Sequence, residues 1–329
     1  MKIRLSAVTI ALSMAFGAGA ALADGSSVIT QPGASNNANV EQVGNVGPTI
    51  TSVITQAGNS NNADVFQDSN NNIATASITQ GGNSNTGSIS QENNASFVGA
   101  TITENPDADG NTSTITQNNN TGALAYIQHW QDGNNSSITQ TDVTDAYGVI
   151  YWNGNNNTGT IEQSNGSHQS ATINLTTFGT PNGSGNTSFI GQTGDDQTAV
   201  IEQPGAQGGI ATILQGGALN TASITDSGTS NEAYIIQVGS GLGLNTSDVV
   251  QAGVDNLAAN LQVGEDLLSY IEQTGNNNIA LVGQIGNLLE SSVLQSSNDN
   301  QAYVLQTGMN YQSDIVQSGP SNVANVWQH

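Results

Sequence analysis

A glutamine that returns at a fixed interval is the feature that most constrains how this chain can fold. In the C-terminal third it recurs every eleven residues. A small residue lies four positions before it and an apolar residue two positions before it, as in the segment SSVLQ at 291–295. Positions i, i+2 and i+4 share one face of a β-strand, whereas a helix would scatter them. We therefore predict short strands whose inward-facing triplet ends in glutamine. These glutamines are Gln251, Gln262, Gln273, Gln284, Gln295, Gln306, Gln317 and Gln328.

The repeating unit is twice that interval, because the strands alternate in kind. Serine opens the triplet that ends at Gln273, whereas alanine opens the triplet that ends at Gln284. The turns alternate as well, since an asparagine follows five residues after the first kind of strand and not after the second. The unit therefore has about 22 residues, with two unlike strands and two unlike turns. The first-turn asparagines in this region are Asn256, Asn278, Asn300 and Asn322.

The same pattern extends back through the chain. Its clear early pairs are Gln31 and Gln42, Gln56 and Gln67, and Gln80 and Gln91, with first-turn asparagines Asn36 and Asn61. Residues 93–192 are irregular, and the pairs expected there are Glu104 and Gln117, Gln128 and Gln140, Tyr151 and Gln163, and Leu175 and Gln192. Stacked copies of a short repeat bury a continuous core that one copy lacks. The sequence therefore predicts an all-β fold, a β-solenoid of about 13 two-strand rungs over residues 24–329 with parallel in-register stacking.

Glutamine, asparagine and glycine have predicted structural roles in this solenoid. An unsatisfied buried amide costs about 1–3 kcal/mol, but in-register glutamines can hydrogen bond to one another from rung to rung. We therefore expect the glutamines to form amide ladders that fix the register, and the first-turn asparagines to form a further ladder. Glycine tolerates the positive φ that tight turns need. That role is expected for Gly33, Gly58, Gly253, Gly275 and Gly319.

The first residues and the charge distribution indicate a secreted chain. Lys2 and Arg4 precede an apolar stretch and a small-x-small cleavage site, so residues 1–23 are typical of a signal peptide. The chain has 2 Lys and Arg residues against 25 Asp and Glu, which disfavours nucleic acid and anionic lipid as partners. No second long apolar stretch follows, so no transmembrane segment is predicted in residues 24–329. The chain also has no cysteine for disulfides or thiolate chemistry.

The repeat resembles the curlin repeat of the curli major and minor subunits. The string Gln-x-Gly-x-x-Asn-x-Ala-x-x-x-Gln occurs at residues 31–42, 56–67, 273–284 and 317–328. The resemblance implies extracellular, cell-surface amyloid fibres in the biofilm matrix of a Gram-negative-type bacterium, where they support cell adhesion and aggregation. It also implies three partners, namely further copies of the chain, a nucleator subunit and an outer-membrane secretion channel. The chain has more units than the best-known subunits and no evident export-targeting segment before its first repeat. Whether it is the bulk subunit or the nucleator stays open.

No group of side chains in the sequence indicates catalysis or a cofactor. His129, His168 and His329 are isolated, without metal-ligand spacing, and are expected to be solvated. No nucleophile-elbow pattern accompanies the serines, so an enzyme is not predicted. The Asp-rich segments 106–110 and 194–196 lack the known calcium-loop patterns and are expected to be solvated loops, with Ca²⁺ binding left open.

Outward-facing side chains are expected to control association. The aromatic residues share no repeat position, so we predict that they face outward or pack at an end rather than form a carbohydrate-stacking platform. They are Trp130, Trp152, Tyr311 and Trp327. Carboxylates one or three residues before a ladder glutamine would stack in register and repel one another. We hypothesise that such gatekeepers delay assembly until export, and the candidates are Asp64, Glu162, Glu202 and Glu272.

Two functions are compatible with the repeat. The repeats begin soon after residue 23 and still run at residues 323–328, so both end rungs are expected to present unpaired strand edges. Such edges favour the first function, a self-assembling structural subunit of fibres. The second is a monomeric solenoid that binds a surface, as an adhesin or an ice-binding protein does. A threonine ladder would favour ice binding, but the threonines before the early glutamines give way to Val, Leu or Glu in the C-terminal units.

Overall fold

Strands form wherever the repeat places a small residue, an apolar residue and a glutamine at alternate positions. The computed structural model describes residues 25–174, 183–239, 241 and 243–329, and within these residues it contains 26 β-strands and no helix. The strands have 5 to 10 residues and are joined by turns. The predicted signal peptide and the predicted ladder residue Leu175 lie outside the described residues.

One strand of every rung belongs to a parallel sheet of 13 strands that we call the odd sheet. Each strand in it is hydrogen bonded to the equivalent strand of the next rung. The odd sheet consists of β1 Gly25–Thr30, β3 Ile50–Gln56, β5 Ala74–Gln80, β7 Val98–Glu104, β9 Leu124–His129, β11 Tyr147–Trp152, β13 Ser170–Asn174, β15 Thr198–Glu202, β17 Asn220–Asp226, β19 Asn245–Gln251, β21 Leu268–Gln273, β23 Glu290–Gln295 and β25 Gln312–Gln317.

The other strand of every rung belongs to a second parallel sheet of 13 strands, the even sheet. It faces the odd sheet across the core. The even sheet consists of β2 Asn37–Val43, β4 Asn62–Asp68, β6 Thr86–Glu92, β8 Thr112–Asn118, β10 Asn135–Thr144, β12 Thr158–Ser167, β14 Thr187–Thr193, β16 Ile210–Gly216, β18 Glu232–Gly239, β20 Leu257–Glu265, β22 Ile279–Asn287, β24 Gln301–Met309 and β26 Val323–Gln328.

Equivalent positions of the repeat stack directly on one another. Gln251 pairs with Gln273 in the odd sheet, and Gln262 pairs with Gln284 in the even sheet. The pairing stays parallel through the irregular region, where the turns rather than the strands absorb the change in repeat length. The predicted β-solenoid of about 13 two-strand rungs is therefore confirmed.

The core consists of two apolar columns between the sheets. Inward side chains are buried and alternate with more exposed outward ones along the strands between the end rungs, as the period of two predicts, whereas β1, β2 and β26 at the ends are more exposed. One hydrophobic cluster runs from Ile54 to Ile315. Asn260 replaces the apolar residue in β20, and its amide donates a hydrogen bond to Ser247 across the core. The apolar column therefore contains one polar cross-link between the sheets.

The turn glycines correct one expectation from the sequence. Of the five that were predicted to need a positive φ, only Gly253 has one, at 109°. In the turn of Gly58 the left-handed residue is Ser60, with φ 57°. Glycine is needed at Gly58 because a Cβ there would overlap the carbonyl oxygen of Gly82 in the next rung. The glycines without a positive φ are Gly33, Gly58, Gly275 and Gly319, and the left-handed residues of their turns are Ser35, Ser60, Asn277 and Ser321.

Candidate functional site

The glutamines of the even sheet form one continuous amide ladder through the 13 rungs. Nε2 of each donates to Oε1 of the next, over 2.7 to 3.0 Å. The second amide hydrogen goes to a backbone carbonyl across the core, as from Gln262 to Thr246 O at 3.0 Å. Both donors of a buried amide are thereby satisfied. The ladder consists of Gln42, Gln67, Gln91, Gln117, Gln140, Gln163, Gln192, Gln215, Gln237, Gln262, Gln284, Gln306 and Gln328.

The equivalent ladder in the odd sheet is interrupted. One segment joins Gln31 to Gln56 at 2.6 Å and Gln56 to Gln80 at 2.9 Å. A second segment, with spacings of 2.8 to 2.9 Å, consists of Gln251, Gln273, Gln295 and Gln317. Between them, the described part of the column holds Glu104, His129, Trp152, Gln203 and Asp226.

The register of the odd sheet differs from the predicted register at two strands. His129 pairs with Glu104, and Trp152 pairs with His129. The predicted ladder residues Gln128 and Tyr151 are therefore outward-facing and half-buried. The prediction placed the ladder position one residue too early in both strands. The inward position is set instead by the buried apolar residue two places before it. The buried residues that mark the correct positions are Ile127 and Ile150.

A buried polar cluster replaces glutamine in the middle of this column. His129 Nδ1 lies 2.9 Å from Glu104 Oε2, and His129 Nε2 lies 2.7 Å from Ser136 Oγ on the even sheet. Trp152 Nε1 donates to the same hydroxyl at 2.7 Å. The expectations that His129 is solvated and that Trp152 faces outward are therefore wrong, because both side chains are fully buried. The indole is accommodated where Gly159 takes the usual alanine position, since a Cβ there would come within 2.5 Å of the ring.

The order Ser136, His129 and Glu104 has the hydrogen-bond connectivity of a serine hydrolase relay. The side chains lie between the sheets, and Ser136 is only 1% exposed. A substrate therefore has no access to the hydroxyl. Within this fold Glu104 and His129 stand where two ladder glutamines would be, and Ser113 Oγ donates a further hydrogen bond to Glu104 Oε1.

Asp226 is the other irregular member of the column. Its Oδ1 accepts hydrogen bonds from Asn231 Nδ2 at 2.7 Å and from the Gly228 amide at 2.9 Å. The Gln203 side chain also interacts with this carboxyl, whereas Oε1 of the paired Gln251 has no hydrogen-bond partner among the described residues. Burial raises the pKa of the Asp226 carboxyl, although these hydrogen bonds act in the opposite direction. A glutamine would donate to Gln251 here, so the aspartate leaves one step of the ladder unmade.

The first-turn asparagines also stack in the structure. Asn278 N donates to Asn256 Oδ1 at 3.0 Å, and Asn256 Nδ2 donates to the carbonyl of Gly275 at 2.7 Å. The same backbone-to-side-chain bond joins Asn61 to Asn36 at 2.9 Å. It continues at Asn300 and Asn322. Each side-chain oxygen from one rung thus accepts a hydrogen bond from the turn backbone of the next rung.

Sequence reasoning missed a second asparagine column in the other turn of the N-terminal half. Asn70 N donates to Asn45 Oδ1 at 2.9 Å, and Asn94 and Asn120 continue the column. All are buried. Their signal is an asparagine three residues after each even-sheet glutamine. In the C-terminal units Leu267 and Leu289 are buried in that turn instead.

The candidate gatekeepers lie on the outward positions of the strands. Asp64 and Glu272 are half-buried, and Glu162 and Glu202 are exposed. His168 is also exposed, and its imidazole lies 3.1 Å from Asp196 and 3.8 Å from Asp145 in neighbouring rungs. None of these side chains enters the core.

The ladders are polar along the solenoid axis. Each Nε2 points to the next higher-numbered rung and each Oε1 to the previous one. Within the described residues, β1 and β2 at one end and β25 and β26 at the other have one neighbouring strand each. The first rung therefore presents amide acceptors and the last rung presents amide donors. Gln328 Nε2 donates one of its two hydrogens to Gln312 O at 3.0 Å.

The described residues contain no group of three or more His, Asp or Glu side chains that could hold a metal ion. They also include no helix of the length and apolarity that crossing a bilayer requires. Neither the protein-family models nor the curated protein sequences contain a match to this chain.

Proposed function

We propose that the protein is a secreted structural subunit that polymerises end to end into curli-like amyloid fibres. The observation that carries this proposal is the polarity of the ladders. An end that presents amide acceptors is complementary to an end that presents amide donors. A second copy that stacks on the last rung would extend both sheets and continue the even-sheet ladder from Gln328 to its own Gln42.

Such stacking needs no new kind of contact. Neighbouring rungs inside the chain are already joined by two parallel strand pairs and an even-sheet glutamine bond, and most of them bury an apolar residue from each sheet. A head-to-tail contact between identical subunits is heterologous, and it generates an open filament when the rotation does not close. The strands would then run perpendicular to the filament axis, which is the cross-β arrangement.

The compartment and the partners rest on the sequence. The predicted signal peptide and the absence of cysteine favour export, and the curlin-like string favours a nucleator and an outer-membrane channel as partners. The fibres would then contribute to adhesion and to a biofilm matrix. Neighbouring genes that encode a secretion pore would support this assignment.

The purified chain of residues 24–329 tests the assembly directly. We expect fibres that bind amyloid dyes and diffract with a meridional spacing of about 4.7–4.8 Å. A stable, dye-negative monomer at micromolar concentrations would contradict the proposal. It would support instead a monomeric solenoid that binds a surface.

A variant of the last rung tests the polarity of growth. Ser296 N donates a hydrogen bond to the carbonyl oxygen of Gln317, so the backbone groups of Gln317 point to the previous rung. Successive residues of a strand point their backbone groups in opposite directions, so the N–H of Val316 points to the open edge. Val316→Pro removes this donor at an exposed position. We expect that the variant chain, added to growing fibres, slows elongation at one end by at least about tenfold. Val316→Thr keeps the N–H and should elongate normally, so equal behaviour of the two variants would exclude end-to-end stacking through β25.

A further inference from the structure

The outward face of the even sheet changes character halfway along the solenoid. In β6, β8 and β10 the position before the ladder glutamine holds Ser90, Thr116 and Thr139, and in β2 and β4 it holds Glu41 and Phe66. In the later rungs the same position holds apolar side chains that are 39% to 77% exposed. They are Leu214, Ile236, Leu261, Leu305 and Trp327. We call the outward side of β16, β18, β20, β22, β24 and β26 the apolar face.

The apolar face carries two carboxylates, Glu232 at the start of β18 and Glu265 at the end of β20, and no other charge in a strongly acidic chain. None of its positions one or three residues before a ladder glutamine, or one residue after, is Asp or Glu. The opposite sheet in the same rungs has outward carboxylates near the middle of its strands, at Glu202, Asp248, Glu272 and Asp314. A second acidic molecule is therefore repelled more strongly by the odd sheet than by the even sheet.

The shape of the apolar face allows two copies to fit together, because it has a projecting side chain next to a depression. Gly283 interrupts the column between Leu261 and Leu305, and it leaves a depression whose walls include Leu281. A two-fold axis that lies in the interface, parallel to the strands and midway between β20 and β22, would place Leu261 of each copy over Gly283 of the other. Sheets packed about 10 Å apart interdigitate their side chains in this way.

We propose that the apolar face is the docking site of a second copy of this chain, joined laterally rather than end to end. Six strands at the usual spacing and about seven residues of length give roughly 600 Å² per copy, close to the roughly 800 Å² per partner of a standard interface. Polymerised copies repeat this face along the fibre, so modest contacts add up. The pairing of two chains does not itself require polymerisation.

Introducing negative charge on the apolar face tests the pairing. Leu261→Glu with Leu305→Glu places two carboxylates in the apolar face. Val250→Glu with Leu294→Glu adds the same charge at the matching position of the same two rungs on the opposite sheet. We expect the wild-type chain and the control variant to form laterally paired fibres in electron micrographs. The Leu261/Leu305 variant should form single filaments with unchanged elongation, and its lateral association should weaken at least about tenfold.

Filling the depression distinguishes specific docking from non-specific hydrophobic association. Gly283→Leu makes the face more apolar, and its Cβ would lie 3.3 Å from Leu305 Cδ1, a close contact with the flexible end of an exposed side chain that can move aside. Interdigitation predicts weaker pairing for this variant, whereas non-specific hydrophobic association predicts stronger pairing. Urea denaturation of each variant verifies that the solenoid is intact.

Lateral pairing can be measured even if the chain does not polymerise. Sedimentation of the soluble chain should then show a dimer for the wild type and a monomer for Leu261→Glu with Leu305→Glu. Three results would overturn lateral docking: equal pairing of this variant and the wild type, equal loss in the Val250/Leu294 control, or stronger pairing with Gly283→Leu. Binding of the wild-type chain to zwitterionic vesicles in place of pairing would assign the face to a lipid surface and would likewise reject the second copy as its occupant.

Discussion

Each core glutamine occupies its position because its side chain has two N–H donors and one carbonyl acceptor. Gln140 accepts from Gln117 at 2.8 Å and donates both to Gln163 at 2.9 Å and to Leu124 O at 3.0 Å. Glutamate lacks the donors and leucine lacks all three groups. The residue therefore joins neighbouring rungs and the two sheets at once, at a fully buried site.

Gln140→Ala is expected to lower the free energy of unfolding by about 2–4 kcal/mol. The change leaves the Leu124 carbonyl and one Gln117 hydrogen without a partner in the core, and each unsatisfied group costs about 1–3 kcal/mol. Thr139→Ala on the adjacent outward position is the control and should cost less than about 1 kcal/mol. Urea denaturation of freshly prepared chain measures both values. Equal losses would show that the ladder adds nothing beyond strand propensity.

Asp226→Asn is expected to stabilise the solenoid at neutral pH and to reduce its pH dependence. Burial raises the folded-state pKa of this carboxyl, so the native state holds the proton more tightly than the unfolded chain does. The stability of the wild type should therefore rise as pH falls through the folded pKa, and the gain should be complete below the unfolded value of about 3.9. Asparagine supplies a donor toward the unpaired Gln251 oxygen without a charge.

Urea midpoints of the wild type and Asp226→Asn between pH 7 and about pH 4 measure this difference. We expect the variant to gain about 1 kcal/mol at pH 7 and the gap to close on acidification. A variant that is less stable at pH 7, or a gap that stays constant, would show that the carboxylate is satisfied in the folded chain. Asp255→Asn at an exposed turn, which changes the charge equally, is the control.

At the scale of the strand, each inward triplet must fit the triplet that faces it across the core. Alanine or serine usually stands opposite the large side chains, as Ala258 does in β20. Where Trp152 enters the odd column, the facing strand β12 has Gly159 in that position. The strands therefore compensate for one another in volume between sheets, and not only along each sheet.

Gly159→Ala is expected to destabilise the protein by about 1–3 kcal/mol, the usual cost of overpacking a core. The new Cβ would meet the Trp152 ring at 2.5 Å, and the ring cannot retreat because its Nε1 is hydrogen bonded to Ser136. Gly216→Ala is the matched control, since nothing lies within 4 Å of a Cβ at that position. Thermal unfolding compares the two variants. No difference between them would mean that β12 shifts freely to admit a methyl group.

At the scale of the whole molecule, the solenoid combines polar ladders inside with an uneven distribution of charge outside. Stacking in register brings like positions together, so outward carboxylates of neighbouring copies meet when chains associate. The apolar face experiences less of this repulsion than the odd sheet does. End-to-end and lateral association are therefore governed by different surfaces of the same rungs.

Removing strand carboxylates is expected to shorten the lag before fibres form. Glu202→Gln with Glu272→Gln should shorten the lag several-fold at neutral pH, because less charge is concentrated along the growing stack. Asp255→Asn with Asp299→Asn removes the same charge from turns at residues that already adopt left-handed φ values of 55° and 58°. Dye-binding kinetics at matched concentrations distinguish the pairs. If both pairs act alike, net charge controls nucleation and the strand positions are not gatekeepers.

The sequence predicted the strands, their inward faces and the rung architecture from periodicity alone. The predicted register is wrong by one residue at the strands that contain His129 and Trp152. In these strands a histidine and a tryptophan occupy the inward position that glutamine occupies elsewhere. The sequence also assigned backbone freedom to turn glycines such as Gly58, whose requirement is instead space beside the next rung. These are contacts between residues of different rungs, and they are invisible within a single repeat.

The sequence by itself thus determined which residues face inward in the regular rungs and that similar units stack, because strand period and repeat length are local properties of the chain. Only the tertiary structure decided how the buried groups satisfy one another. It showed that the even ladder is continuous from Gln42 to Gln328, that Glu104 and His129 form a buried pair where the odd ladder is interrupted, and that both ladders have a direction. Hydrogen-bond direction and packing across the core depend on atoms brought together from distant rungs, and the order of residues along the chain does not contain them.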